Sequence, residues 1–193
     1  MSSPSSIDLL DDRIKFKFHA AEVHLKKLKS LESKGGLSRT LDIKLKSEIE
    51  IEDLLAHLIG VSDVLLVKIN DKLNLRIAED EVLLPIVKTK LKDNGRLDLI
   101  NDLIKLDDDK FSWYSELKKL RNIGMHRKII NVRVSVNIHE NIGTGNSFSE
   151  PTRVYFKDSN TDLELIPYLE DRIQRMQVLI QRIISKEPLL RTP

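Results

Sequence analysis

The segment WYSELKKLRNIGMHR, from Trp113 to Arg127, has the period of an amphipathic helix. Its apolar residues recur at steps of three and four and share one face: Trp113, Leu117, Leu120 and Gly124. We therefore predict a helix over about Lys110–Ile130, opened by an N-cap in the run Asp107–Asp109.

The opposite face of this predicted helix has an unusual composition for a solvated surface. At about 100° per residue, Asn122 and His126 lie opposite Trp113 and one turn apart. Phe111 and Ser115 share that far side, and the residues between the two faces are Arg121, Tyr114 and Met125. A surface helix normally gives this position to lysine and glutamate, so the far side is a candidate functional surface.

The rest of the chain is predicted to be mostly helical. Its first helix has one apolar face, formed by Ile7, Leu10, Ile14, Phe18, Ala21, Leu25 and Leu28. A second helix, Asp42–Leu73, has an inner face formed by Leu45, Ile49, Leu55, Leu58, Ile59, Ser62, Leu65, Leu66 and Ile69. Shorter helices are expected after Pro85 up to Asp93–Gly95 and over Arg96–Leu106. The last helix, Glu164–Lys186, buries Leu165, Leu169, Ile173, Met176, Leu179 and Ile183.

One segment before the last helix changes its period. VRVSVNI, Val132–Ile138, alternates apolar and polar residues, as does RVYFK, Arg153–Lys157, and a glycine-containing stretch separates them. This pattern predicts a β-hairpin with a long loop, over about 132–157. The expected architecture is all-α: one domain over residues 1–193, an up-and-down bundle of five to six helices with the hairpin inserted before the last.

The composition excludes several classes of protein. The absence of cysteine rules out disulfides, thiolate zinc sites and cysteine nucleophiles, and is typical of a reducing, cytoplasmic location. A formal net charge of +2 is too small to attract nucleic acid to the whole surface, so such binding requires a local patch. We expect no membrane span and no signal peptide, because no apolar run is long enough.

The charges around the candidate surface favour a polyanionic ligand. Lys118, Lys119, Arg127 and Lys128 surround the motif residues. Histidine transfers protons near neutral pH, and arginine stabilises negative charge that develops on a phosphate. The combination suits cleavage of a phosphodiester, which needs a base for the 2′-hydroxyl and an acid for the leaving oxygen.

The pattern Arg121-Asn122-x-x-x-His126, late on a helix of an all-α bundle, resembles the signature of the HEPN superfamily. The order of helices is also similar to that family. The resemblance implies a homodimer whose motif helices meet at the dimer axis, with Arg121 and His126 catalytic and Asn122 orienting them. It further implies no metal and no cofactor. An acidic residue on the second helix often supports such a site, and the candidates are Glu48, Glu50, Glu52 and Asp53.

The expected function is therefore a metal-independent endoribonuclease, acting as a toxin or a defence effector. Its expected partners are RNA, a second copy of the chain and a cognate antitoxin. The alternative is a non-catalytic HEPN module that binds RNA, a nucleotide or a partner protein.

Structural explanations remain open for several of these residues. Arg121 can pair with an acidic neighbour, and His126 can serve as a cation at a helix C-terminus. HAAEVH, His19–His24, lacks the spacing of a zinc-binding helix. GTGNS, Gly143–Ser147, lacks the Gly-Lys-Ser/Thr of a P-loop and is expected to form the tip of the hairpin.

Overall fold

Six α-helices make up most of the described part of a computed structural model of the chain, and the longest of them lies at the centre of the core. The structure describes residues 12–33, 41–106, 112–126, 132–135, 138–140, 147–149, 153–158 and 161–191. Side chains are described for residues 12–32, 42–43, 45–106, 112–122 and 164–191. The predicted N-cap Asp107–Asp109, the residue Phe111 and the start of the predicted first helix, including Ile7 and Leu10, lie outside these ranges.

The described part of the chain is mainly helical, which agrees with the predicted all-α class. The α-helices are α1 (Arg13–Ser33), α2 (Leu41–Lys72), α3 (Leu84–Asp93), α4 (Leu97–Leu103), α5 (Trp113–His126) and α6 (Leu165–Lys186). Short 3-10 turns occupy Glu79–Glu81, Ile104–Leu106 and Pro188–Arg191. The motif helix α5 is shorter than the predicted Lys110–Ile130, and no described helix is long and apolar enough to cross a membrane.

The segment between α5 and α6 contains five short strands. They are β1 (Val132–Ser135), β2 (Ile138–Glu140), β3 (Ser147–Ser149), β4 (Arg153–Asp158) and β5 (Thr161–Glu164). An antiparallel sheet in the order β1-β4-β5 places Val132 opposite Phe156 and Phe156 opposite Leu163, and β2 pairs with β3 in a second sheet. The sequence predicted a single hairpin here. It missed β5, in which the acidic residues Asp162 and Glu164 have low strand propensity.

The inner face of α2 forms the centre of the hydrophobic core. Its fully buried residues include Ile51, Leu54, Leu55, Leu58, Val61, Leu65 and Ile69. Two residues predicted for this face are wrong: Leu45 is 60% exposed and Ile49 is 48% exposed. Each lies two residues from a buried position, Ser47 or Ile51, and two residues correspond to about 200° around a helix. Both therefore point away from the core.

The last helix contributes a second large part of the core. Its six predicted core residues are all buried: Leu165, Leu169, Ile173, Met176, Leu179 and Ile183.

A buried aspartate lies beside this face of α6. Asp102 of α4, which is 1% exposed, contacts Lys186 at 2.5 Å and Arg182 at 2.9 Å. Burial alone would raise the pKa of Asp102, but the hydrogen bond and charge of Lys186, with Arg182 and Lys105, lower it. Asp102 is thus a stable buried anion that joins α4 to α6.

A polar cluster joins α1 to α2 beside the core. The Nδ1 atom of His24 lies 2.6 Å from Glu50 Oε2, and Lys27 lies 3.2 Å from the other carboxylate oxygen. His57 of α2 stacks on His24 with ring centroids 5.5 Å apart. Burial lowers the pKa of His57, Lys17 and His24 lower it further, and Asp53 acts in the opposite direction.

The lowered pKa of His57 predicts a specific pH dependence of stability. The unfolded chain binds a proton to His57 near the ordinary pKa of 6.5, whereas the folded chain binds it only at lower pH. The free energy of unfolding contributed by neutral His57 is therefore complete above pH 6.5 and falls as the pH drops through the folded-state pKa. We expect His57→Gln to flatten the stability profile below pH 6.5 in denaturant titrations.

The exposed His19 of α1 supplies the matched control. His19→Gln should leave the profile unchanged. An identical profile for His57→Gln and the unmodified protein would show that His57 keeps an ordinary pKa in the fold.

Candidate functional site

The rotation of α5 about its axis determines which motif side chains reach the surface. Tyr114 is 2% exposed and Leu117 is fully buried, so these two residues mark the core side of the helix. Trp113, predicted at the centre of that side, is only partly buried. Ser115, predicted on the far side, is 7% exposed and therefore buried. The buried face is rotated by roughly 80–100° from the predicted one, toward Tyr114 and Arg121.

One contact with α2 and one contact at the start of α5 set this rotation. The hydroxyl of Tyr114 is hydrogen-bonded to that of Ser62 on α2, and Ser62 Oγ also donates to the carbonyl of Ile59 at 2.7 Å. At the start of α5, the Ser115 N–H donates to Ser112 Oγ at 3.0 Å, which makes Ser112 the N-cap that the structure shows. Because Tyr114 is fixed against α2, the side chain of Arg121, seven residues later, lies on the same side of α5.

Arg121 and Asn122 contact each other at the edge of this buried face. The Nη1 group of Arg121 donates to Asn122 Oδ1 at 3.2 Å. Asn122 is exposed, as predicted, and Arg121 is half-buried. The Nε atom of Arg121 is buried and has no hydrogen-bond partner in the described part of the chain. The guanidinium is therefore held in place while part of its hydrogen-bonding capacity is unused.

Asp63 of α2 is the acidic residue beside Arg121. It keeps a solvent-exposed edge, but the surrounding helices remove enough water to raise its pKa, and the charges of Arg121, Lys118 and Lys17 act in the opposite direction. Within the described ranges no cation lies at ion-pair distance from its carboxylate. Asp63 is thus surrounded by positive charge without being directly neutralised.

The sequence analysis missed Asp63, although one signal pointed to it. Asp63 is the only charged residue between Asp53 and Lys68, in the otherwise apolar half of α2. The acidic residues named as candidate support for the site lie away from Arg121 within one chain. Glu50 and Asp53 face His24 on α1, and Glu48 and Glu52 precede Asp63 by at least 11 residues, roughly 16 Å along the helix.

Two lysines complete what we call the basic cluster: Lys17, Lys118 and Arg121. Lys17 of α1 crosses α2 at Gly60, where an added Cβ would lie 3.2 Å from the lysine side chain. Lys118 lies over the ring of Tyr114, with its Nζ 5.1 Å from the centroid. Helix α1 therefore contributes one cation and α5 contributes two around the carboxylate of Asp63 on α2. An anion that reached this surface would meet a net positive charge.

The other predicted site residues have different outcomes. His126 is the last residue of α5, one turn beyond Asn122, and its side chain lies outside the described part. Lys119 is exposed on α5. Arg127 and Lys128, predicted to bind substrate, lie outside the described residues, so their role stays a prediction.

The histidine-rich stretch of α1 does not form a metal site in the structure. Glu22 accepts a hydrogen bond from Gln177 at 3.1 Å, whereas His24 contacts Glu50. Among the described residues no group of three or more histidine, aspartate or glutamate side chains is arranged to hold a metal ion. Residues 143–146 of GTGNS lie outside the described ranges.

Comparisons with models of known protein families, with curated proteins and with solved structures find no match for this chain. The resemblance to the HEPN superfamily therefore depends on the motif of α5 and on the order of the helices.

The arrangement around Asp63 predicts how its pKa responds to substitution. Arg121→Ala removes the largest of the charges that lower this pKa, so the pKa of Asp63 should rise further. The carboxyl carbon of Asp63, followed by NMR during a pH titration, measures this directly. Lys92→Ala, at an exposed position of α3, is the control and should cause no change. An unchanged pKa in Arg121→Ala would show that Arg121 does not face Asp63.

Proposed function

We propose that the chain is a metal-independent endoribonuclease of the HEPN type, built on a HEPN-like bundle into which the segment 132–157 is inserted. The observation that carries the proposal is the position of Arg121. Its guanidinium is oriented by Asn122, has an unpartnered buried Nε and lies in a basic cluster at the surface of the motif helix. An arginine with a purely structural role normally forms an ion pair with a carboxylate, as Arg96 does with Glu187.

The basic cluster suits the phosphate of an RNA strand. Arg121 and Lys17 supply two positive charges beside the single carboxylate of Asp63. An arriving phosphodiester would accept hydrogen bonds from the arginine and gain favourable Coulomb energy in a partly desolvated site. Lys119, Arg127 and Lys128 would extend this attraction along the strand, without reading its sequence.

The proposed reaction is an internal transfer within the RNA. The 2′-oxygen loses its proton and attacks phosphorus, while the bond from phosphorus to the 5′-oxygen breaks and that oxygen gains a proton. The products are a 2′,3′-cyclic phosphate and a free 5′-hydroxyl. His126 transfers protons in these steps, because imidazole both accepts and donates near neutral pH, and Arg121 stabilises the negative charge that develops on the phosphorus centre.

A homodimer formed through α5 would complete this site. One histidine cannot hold the proton and supply it at the same instant, whereas two copies of His126 facing each other supply both a base and an acid. The exposed position of Asn122 on α5 supports such a pairing. A ribonuclease of this kind needs control in its own cell, so a cognate antitoxin is the further protein partner that we propose.

Cleavage of RNA in the presence of EDTA tests the proposal. The purified protein should convert single-stranded RNA into fragments that end in 2′,3′-cyclic phosphate. His126→Ala should lower the cleavage rate by at least ~10²-fold, the scale of general acid–base catalysis, while leaving the thermal unfolding curve unchanged. His19→Ala, which removes an exposed histidine of α1, is the matched control and should cleave normally.

The same assay separates the proposal from its alternative. Intact RNA, together with measurable binding that Arg121→Ala weakens, would identify a binding module without turnover. Cleavage by His126→Ala at the rate of the unmodified protein would refute the catalytic role of His126.

A further inference from the structure

An open groove lies between the start of α5 and the middle of α6. Its volume is about 330 Å³, which lies within the size range of small-molecule sites. The lining includes Trp113 and Val178, the cations Lys105, Arg175 and Arg182, and the carboxylate of Asp171. The groove thus combines an aromatic ring, an exposed aliphatic side chain, three cations and one carboxylate.

The apolar part of the groove is surface that the described fold leaves uncovered. Val178 lies between Arg175 and Arg182 on the outer side of α6. Its side chain is apolar and is nevertheless 58% exposed. The indole of Trp113, the only tryptophan of the chain, is partly exposed across the groove. An aromatic face beside an aliphatic side chain is a stacking surface for a planar ring, and nucleic-acid bases stack on such surfaces regardless of their identity.

The two arginines of the groove are positioned by contacts with carboxylates. Arg175 donates from Nε to Asp171 at 2.7 Å, and Arg182 lies with its Nε 2.9 Å from the buried carboxylate of Asp102. Both arginine side chains are about half exposed, at 54% and 55%. Within the described ranges no acceptor is bonded to the terminal nitrogens of either guanidinium.

Two half-exposed guanidinium groups beside an indole define a class of ligand. The terminal N–H groups of arginine form a fork that matches the oxygens of a phosphate. Lys105, 46% exposed, adds a third positive charge at the rim. A ligand that satisfies both parts must carry a planar ring and a phosphate joined at a short distance, and a ribonucleotide has that composition.

We propose that this groove binds a ribonucleotide, with its base against Trp113 and Val178 and its phosphate on Arg175 and Arg182. The ligand is either a free mononucleotide or one nucleotide of an RNA strand. Trp113 lies eight residues before Arg121, about 12 Å along α5, so a strand in the groove passes near the basic cluster. Binding in the groove does not require cleavage at His126, and the two proposals can fail independently.

Tryptophan fluorescence tests the proposal, because Trp113 is the only reporter in the chain. The protein with His126→Ala, which prevents turnover, is titrated with adenosine 5′-monophosphate and, separately, with a short single-stranded oligoribonucleotide. At least one titration should quench the fluorescence with saturation. Saturation by the mononucleotide identifies a free-nucleotide site, and saturation by the oligoribonucleotide alone identifies a site for a strand.

A charge placed in the groove supplies the decisive variant. Val178→Glu puts a carboxylate between the two arginines at an exposed position, so it should weaken binding about tenfold without altering the fold. Thr89→Glu adds the same charge at an exposed position of α3 and is the matched control. Calorimetry with Trp113→Leu should show the same loss as Val178→Glu.

Two results would overturn the proposal. The first is the absence of any saturable fluorescence change or heat with either ligand. The second is binding that Val178→Glu and Thr89→Glu leave equally strong, because the nucleotide would then bind elsewhere on the molecule.

Discussion

The contact between Tyr114 and Ser62 is the constraint from which the surface of the motif helix follows. It joins the hydroxyl of a buried tyrosine on α5 to a buried serine on α2, and Leu117 fills the core beside it. A helix held at this point cannot rotate, so Arg121 must lie toward α2 and Asn122 must lie toward solvent. A different rotation of α5 would bury Asn122 or separate Arg121 from Asp63, and the basic cluster would not exist.

Two aspartates show why this cluster is suited to an external anion. Asp102 is buried, contacts Lys186 and Arg182 directly, and has a lowered pKa because those cations outweigh its desolvation. Asp63 has a raised pKa because desolvation outweighs the more distant charges of Arg121, Lys118 and Lys17. The first arrangement uses its cations to hold two helices together. In the second, Arg121 and Lys17 keep their charge available beside a surface.

Periodicity was sufficient to predict the elements whose burial is decided locally. All six core residues predicted for α6 are buried, because large apolar side chains recur on a single helical face, and Ile166, Tyr168 and Ile180 are buried beside them. On α5 the same reasoning placed the core at Trp113. The apolar pattern of that short helix is weak, and a hydrogen bond to Ser62, 52 residues earlier, decided its orientation instead. The spacing of apolar residues within α5 cannot predict a contact with a residue so distant in the sequence.

The polar features of the site were predictable to different degrees. The exposure of Asn122 and the half-burial of Arg121 follow from their helical positions, whereas the proximity of Asp63 and Lys17 requires knowledge of how three helices pack. The groove at Trp113 was also hidden, because Arg175 and Val178 belong to the outer side of α6, which a sequence reading assigns to solvent. Long-range packing, which brings such residues together, is the part that periodicity cannot supply.

The central claim is that the exposed side of α5 is completed by a second copy of the chain. The chain has no cysteine, so Asn122→Cys provides a unique attachment point for a spin label on this surface. Two packed motif helices have axes about 8–10 Å apart, and pulsed dipolar spectroscopy should then find an inter-subunit distance of roughly 20 Å that disappears on dilution with unlabelled protein. The absence of any inter-subunit coupling at concentrations where the protein is active would contradict a site shared across a dimer axis.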